Sequence, residues 1–195
     1  MTLLVSWNDT DPTTEVFRSE NPEEIGAQLS ALGVAFEQWD TNKDLADDAD
    51  QEAVLEAYRD EVDRITKRED YRTIDVLRLH DFGQPDFREK ATAARQKFLD
   101  EHAHDDDEVR YFVDGSGTFY LHIDGKVHGL FCEKGDLVSV PHGTVHWFDT
   151  GEASPSFCAI RFFHEGEGWV GEFTGDPISR SFPTHDQLAA SRQAA

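Results

Sequence analysis

A chain of 195 residues with 38% hydrophobic content has room for one well-buried core and little more, so a single domain over 1–195 is expected. Its 40 acidic residues stand against 18 basic ones, a formal net charge of -22 that disfavours nucleic acid and anionic membranes as partners. The start, MTLLVSWNDT, has no basic segment and too short an apolar run for a secretion signal, and no stretch reaches the length of a membrane span, so a cytoplasmic protein is expected.

Residues 3 to 7 can form a first strand. Asn21, Pro22 and Glu24 then supply a cap, a first-turn proline and a capping-box acid for a helix that carries Ile25, Leu29 and Leu32 to Gly33. VAFEQWD alternates as a strand does, and the polar TNKDLADDAD reads as a loop. Val54, Tyr58, Val62 and Ile65 form one apolar stripe, which predicts a longer helix beginning near Asp50. YRTIDVLRLHDF reads as a strand, and Pro85 introduces a third helix with the stripe Phe87, Ala91, Ala94 and Phe98.

From residue 108 the texture changes to short strands separated by turns: EVRYFV, GTFYLHI, KVHGLF, DLVSV, TVHWF, SFCAIRFF and WVGEF. Such spacing without intervening helices indicates an antiparallel sandwich or small barrel, so the fold class is mainly β with flanking helices. The helix-rich residues 1–100 should pack on a core spanning 101–180, and the polar end, 184–195, should fray. Cys132 and Cys158 have no metal-binding spacing and are expected as buried thiols.

The chemistry concentrates in HAHDDDEVRYFVDG, residues 102 to 115. His102 and His104 share one face of an extended strand and can aim at a single point, which suits a metal ion. Glu108 keeps that parity and can add an oxygen, provided that Asp105 to Asp107 bend the chain without turning the face away. A second stretch, GDLVSVPHGTVHWFDT, places turns at Gly135, Pro141 and Gly143 and offers His146 as a fourth ligand. Arg110, two residues beyond Glu108, points the same way. His142 is expected as a partly exposed turn residue, and His80, His122, His128, His164 and His185 as structural or exposed.

The two stretches together resemble the paired motifs of the cupin superfamily: HxH, three residues, Glu, six residues and Gly115, then Gly135, five residues, Pro141, Gly143 and His146. Gln96 and Thr150 stand where that pattern has Gly and Asn. FLDEHAHDDDEVRYFVDGSGTFYLHIDG, CEKGDLVSVPHGTVHWFD and GWVGEFTGD resemble more narrowly the bacterial branch of acireductone dioxygenase, from about Leu32 onward. The resemblance implies a double-stranded β-helix and one Fe(II) or Ni(II) ion per chain on His102, His104, Glu108 and His146. It further implies a methionine-salvage enzyme that cleaves 1,2-dihydroxy-3-keto-5-methylthiopentene with dioxygen. Iron(II) would give 4-methylthio-2-oxobutanoate and formate; nickel(II) would give 3-methylthiopropanoate, formate and carbon monoxide. Arg110 would hold the substrate anion, and Phe98, Phe148 and Trp169 are candidates for an apolar pocket around the methylthio tail. The expected partners are the small acireductone and O2, with a monomeric chain. Two alternatives stay open: another metal cupin, of flavonol or oxalate type, and a non-catalytic small-molecule-binding cupin.

Overall fold

The computed structural model describes residues 1–164 and 170–193. Two antiparallel sheets share one long strand, β6 (Glu108–Ile123). The first half of β6 lies between β8 (Asp136–Val140) and β10 (Phe157–Phe163), with β3 (Ala35–Gln38) and β4 (Thr73–Leu79) outside them. Its second half lies between β9 (His146–Asp149) and β7 (Lys126–Glu133), the latter followed by β1 (Leu3–Asn8) and β2 (Asp11–Ser19). Two predicted strands are thus one continuous strand that changes sheet near Gly115. That glycine takes φ 71°, and a Cβ there would stand 2.0 Å from the Ser156 carbonyl oxygen, so no side chain fits at this corner.

Alternation along the strands sorts the core into layers. Leu4, Phe112, Phe119, Leu121, Val138 and Phe148 fill the interior between the sheets, joined by Ile25 and Leu29 of α1 (Pro22–Ala31). Leu3, Val5 and Trp7, the opposite parity of β1, pack with Tyr120, Trp147, Phe182 and Leu188 on the outside. The predicted stripe Val54, Tyr58, Val62 and Ile65 covers the other sheet's outer face with Tyr111, Ile160 and Phe162.

Several expectations change in detail. The helix from Asp50 is two, α2 (Gln51–Ala57) and α3 (Arg59–Glu69), broken at Tyr58, whose fully buried ring lies 4.8 Å from that of Tyr111. Asn21 caps α1 as expected, but the Glu24 carboxylate accepts from the Ser19 hydroxyl at 2.6 Å. In α4 (Phe87–Leu99) the buried face takes in Arg95 beside Phe87 and Ala91, because Arg95 reaches across to Asp149 on β9. The end does not fray: α5 (His185–Gln193) buries Leu188 and His185 against β7 and β9, and only residues 194 and 195 lie outside the described part. Polar contacts add to that packing: the His185 amide donates to the buried Asp149 carboxylate at 2.9 Å, its ring meets Thr118, and Asp186 accepts from the Glu152 amide. Cys132 and Cys158 are buried free thiols, as expected. No helix among the described residues is long and apolar enough to cross a membrane.

Candidate metal centre and adjoining cavity

His102 and His104 sit on β5 (His102–Ala103) and just past it, and strand pairing brings the distant ligand to them: His102 lies directly opposite His146 of β9, which itself pairs with β6. The bend at Asp105 to Asp107 then returns the chain so that Glu108 opens β6 beside the same point. Each of the four residues contributes one ligand atom, these atoms lie within 4.8 Å of one another, and all four residues are buried. The spacing is close to that of donors set about 2.1 Å from one ion.

The hydrogen bonds behind these rings fix which nitrogen faces inward. Nδ1 of His102, His104 and His146 lies 2.7, 2.7 and 2.8 Å from the carbonyl oxygens of Asp100, Asp106 and Thr144. A carbonyl only accepts, so each Nδ1 carries a proton and Nε2 is the nitrogen each ring turns inward, a lone-pair donor when the ring is neutral. Two of these nitrogens face the same acceptor, Glu108 Oε2, at 2.8 and 3.1 Å. Acceptors crowded this closely in a buried site require positive charge between them, so the residues fit a cation. Three imidazoles and one carboxylate suit a first-row transition metal better than magnesium or calcium. The site therefore suits one metal ion.

Burial and the Glu108 charge act differently on the members of the cluster. Burial lowers the His102 pKa to about 4, so this ring is neutral and able to coordinate near pH 7. Burial also works against charge on His104, but the Glu108 carboxylate outweighs it and raises that pKa. For Glu108 the cost of burial is overcome by Arg110 and by the two histidines, which hold the carboxyl well below its usual range. Glu108 is an anion throughout the neutral range.

Arg110 lies on the same face of β6, as its parity requires. Its Nε and Nη2 both donate to Glu108 Oε1, at 2.6 and 2.5 Å, which leaves Oε2 to the metal position. Arg110 Nη1 is buried and has no hydrogen-bond partner among the described residues. Phe148 and Phe119 back the guanidinium, with ring centroids 5.5 and 6.0 Å from its central carbon. Gly117 leaves the room for Phe148, because a Cβ there would stand 2.4 Å from the ring's Cζ.

A cavity of about 650 Å³ opens beside His104, Glu108 and Arg110. Phe98 lines it, together with Phe163, Val170, Arg161 and Glu172, none of the last four anticipated from sequence. Phe148 instead faces the interior core and touches Arg110 from behind. Trp169 lies outside the described residues. The other histidines have structural partners: His122 meets Glu101, His128 meets Ser6, His164 meets Asp106, His185 meets Thr118 and stacks on Phe131, and His80 meets Ser156. His142 is an exposed turn residue whose amide donates to Asp107.

Sequence reading also missed Glu101, a buried carboxylate adjoining His102. Its parity points away from the ligand face, so no pattern drew attention to it.

Comparison with known proteins matches this arrangement to one family. The profile of the ARD/ARD' family matches residues 6–171. An acireductone dioxygenase of Parvibaculum lavamentivorans is 53% identical over 94% of this chain and 96% of its own. One of Saccharopolyspora erythraea is 48% identical over 98% of this chain and its full length. A solved structure, acireductone dioxygenase from Bacillus anthracis with a cadmium ion in its active centre, superposes with a TM-score of 0.71 at 28% identity, over 88% of this chain and 97% of that one. On these matches and the buried three-histidine, one-glutamate cluster, the chain belongs to the ARD/ARD' family of cupin-fold dioxygenases.

Proposed function

We propose that the protein cleaves an acireductone, 1,2-dihydroxy-3-keto-5-methylthiopentene, with dioxygen, using one Fe(II) or Ni(II) ion held by His102, His104, Glu108 and His146. The observation that carries this reading is the buried Nη1 of Arg110, a residue that lines the cavity beside the cluster, which has no hydrogen-bond partner among the described residues. A permanent cation with an unspent donor nitrogen is what an ene-diolate anion needs in a strongly acidic protein. When bound, the ion supplies Lewis acidity that favours the ionised substrate.

The chain's own residues do the rest. Arg110 holds Glu108 by one oxygen and offers the N–H groups of Nη1 to the substrate oxyanion, and Phe148 and Phe119 back the guanidinium. The backbone carbonyls of Asp100, Asp106 and Thr144 keep the three imidazoles in the coordinating tautomer. Phe98, Phe163 and Val170 give the cavity the apolar wall that a methylthio tail requires.

The expected products are 4-methylthio-2-oxobutanoate and formate from Fe(II)-loaded protein. Ni(II)-loaded protein should give 3-methylthiopropanoate, formate and carbon monoxide. Stripped protein reloaded with each metal in turn, with metal content and products measured on the same sample, tests both the reaction and its split. Absence of acireductone consumption at one equivalent of either metal under air would overturn the reading.

A further inference from the structure

Glu101 is a buried carboxylate that the proposed chemistry does not use. It is 3% exposed, and its two oxygens have separate partners: Oε1 lies 2.7 Å from His122 Nδ1, and Oε2 accepts from the Thr174 hydroxyl at 2.7 Å. Its backbone carbonyl accepts from the Thr174 amide at 3.1 Å. Three interactions thus converge on one residue at the start of the ligand strand. His122 extends the chain of contacts to Asp9, 3.5 Å from its Nε2, at the β1 to β2 turn.

Thr174 follows β11 (Glu172–Phe173), a strand of two exposed residues that pairs with β5, Glu172 opposite Ala103 and Phe173 opposite His102. The Phe173 ring meets the His102 ring edge-on at 5.6 Å. Glu172 and Val170 of the same segment line the cavity. A two-residue ladder is marginal by itself, so a buried carboxylate gripping the next residue adds substantially to its hold. We propose that Glu101 is a positioning residue, whose carboxylate clamps Thr174 and so fixes the outer wall of the substrate cavity against the strand that carries the metal ligands. The proposal rests on the acireductone reading for its substrate, while the clamp itself is a property of the fold.

Thr174→Val removes the hydroxyl with little change in shape and leaves the Glu101 to His122 contact intact. In the metal-loaded protein, amide exchange of residues 170–174 should quicken about tenfold, the loss of one charge-assisted hydrogen bond. KM for acireductone should rise by a similar factor, with kcat changed about twofold or less and metal content unchanged. Thr174→Ser should restore both, and Glu101→Gln, which keeps an acceptor for Thr174, should fall between. Unaltered exchange and KM in Thr174→Val would overturn the proposal. So would loss of metal in step with activity, because the contact would then serve the ligand strand and not the wall. Wild-type protein inert towards acireductone, with exchange quickened in Thr174→Val, would overturn the substrate reading and leave the clamp standing.

Discussion

The metal cluster and the outer wall of the cavity next to it are built in opposite ways. The four residues of the cluster are buried; backbone carbonyls tie the three histidines from behind, Arg110 holds Glu108, and they stand on or beside strands that meet interior aromatic side chains. The outer wall includes Val170, 75% exposed, and a two-residue strand held through Thr174. Rigid ligands beside a lightly attached wall divide two tasks: donor geometry must not vary, whereas a cavity must admit and release its occupant. One cavity thus draws its two sides from a buried and an exposed part of the fold.

Breaking the rigid side should have the largest effect. Alanine at His102, His104, Glu108 or His146 should lower metal affinity by more than the 10–100-fold typical of losing an outer partner, and activity should go with it. Metal analysis after gel filtration checks this, and full occupancy in all four variants would refute the ligand assignment. Arg95→Ala, remote from the cavity, should cost about 3–5 kcal/mol, because the Asp149 carboxylate is left buried without the guanidinium that donates to it at 2.7 Å. Denaturant unfolding measures it, and a loss below about 1 kcal/mol would show that the backbone amides of Gly151 and His185 satisfy Asp149 alone.

Arg110→Ala sharpens the comparison at the seam between the two sides. It should slow kcat about 10²–10³-fold while most of the metal is retained, since the ligand atoms remain. Turnover near the wild-type rate would remove Arg110 from the mechanism.

The last prediction concerns a site away from both. Burial holds His128 neutral, with its pKa lowered to about 4 from 6.5. The unfolded chain takes up that proton first, so between about pH 6.5 and 4 stability should fall with pH by up to about 1.4 kcal/mol per unit, and this contribution should be flat outside that window. His128→Gln should reduce the slope in that range; an unchanged slope would assign the acid sensitivity to other groups.

What the sequence made legible follows the same division. The ligand set could be read because HxH and Glu108 share strand parity and His146 falls in a second spaced stretch. That Arg110 shares a face with Glu108 was legible for the same reason. The strand pairing was not, because setting His102 opposite His146 depends on how β5, β9 and β6 stack, a non-local choice that no local pattern encodes. Glu101 and the wall escaped because an outward parity and a two-residue strand carry no periodic signal. The β2 strand, DPTTEVFRS, was missed because it is an exposed sheet edge with little apolar alternation. The C-terminal helix escaped because Leu188 is one apolar residue in a polar tail, and its docking depends on Asp149, far away in sequence.

Gly117 carries a consequence beyond its own position. The space where its side chain would stand is filled by the Phe148 ring, and that ring supports the Arg110 guanidinium. A single added methyl group farther along β6 would therefore be transmitted, ring to cation, as a displacement of the guanidinium proposed to meet the substrate. The position of that charge is set in part by a residue with no side chain, and the site's tolerance is narrowest where its chemistry is least visible.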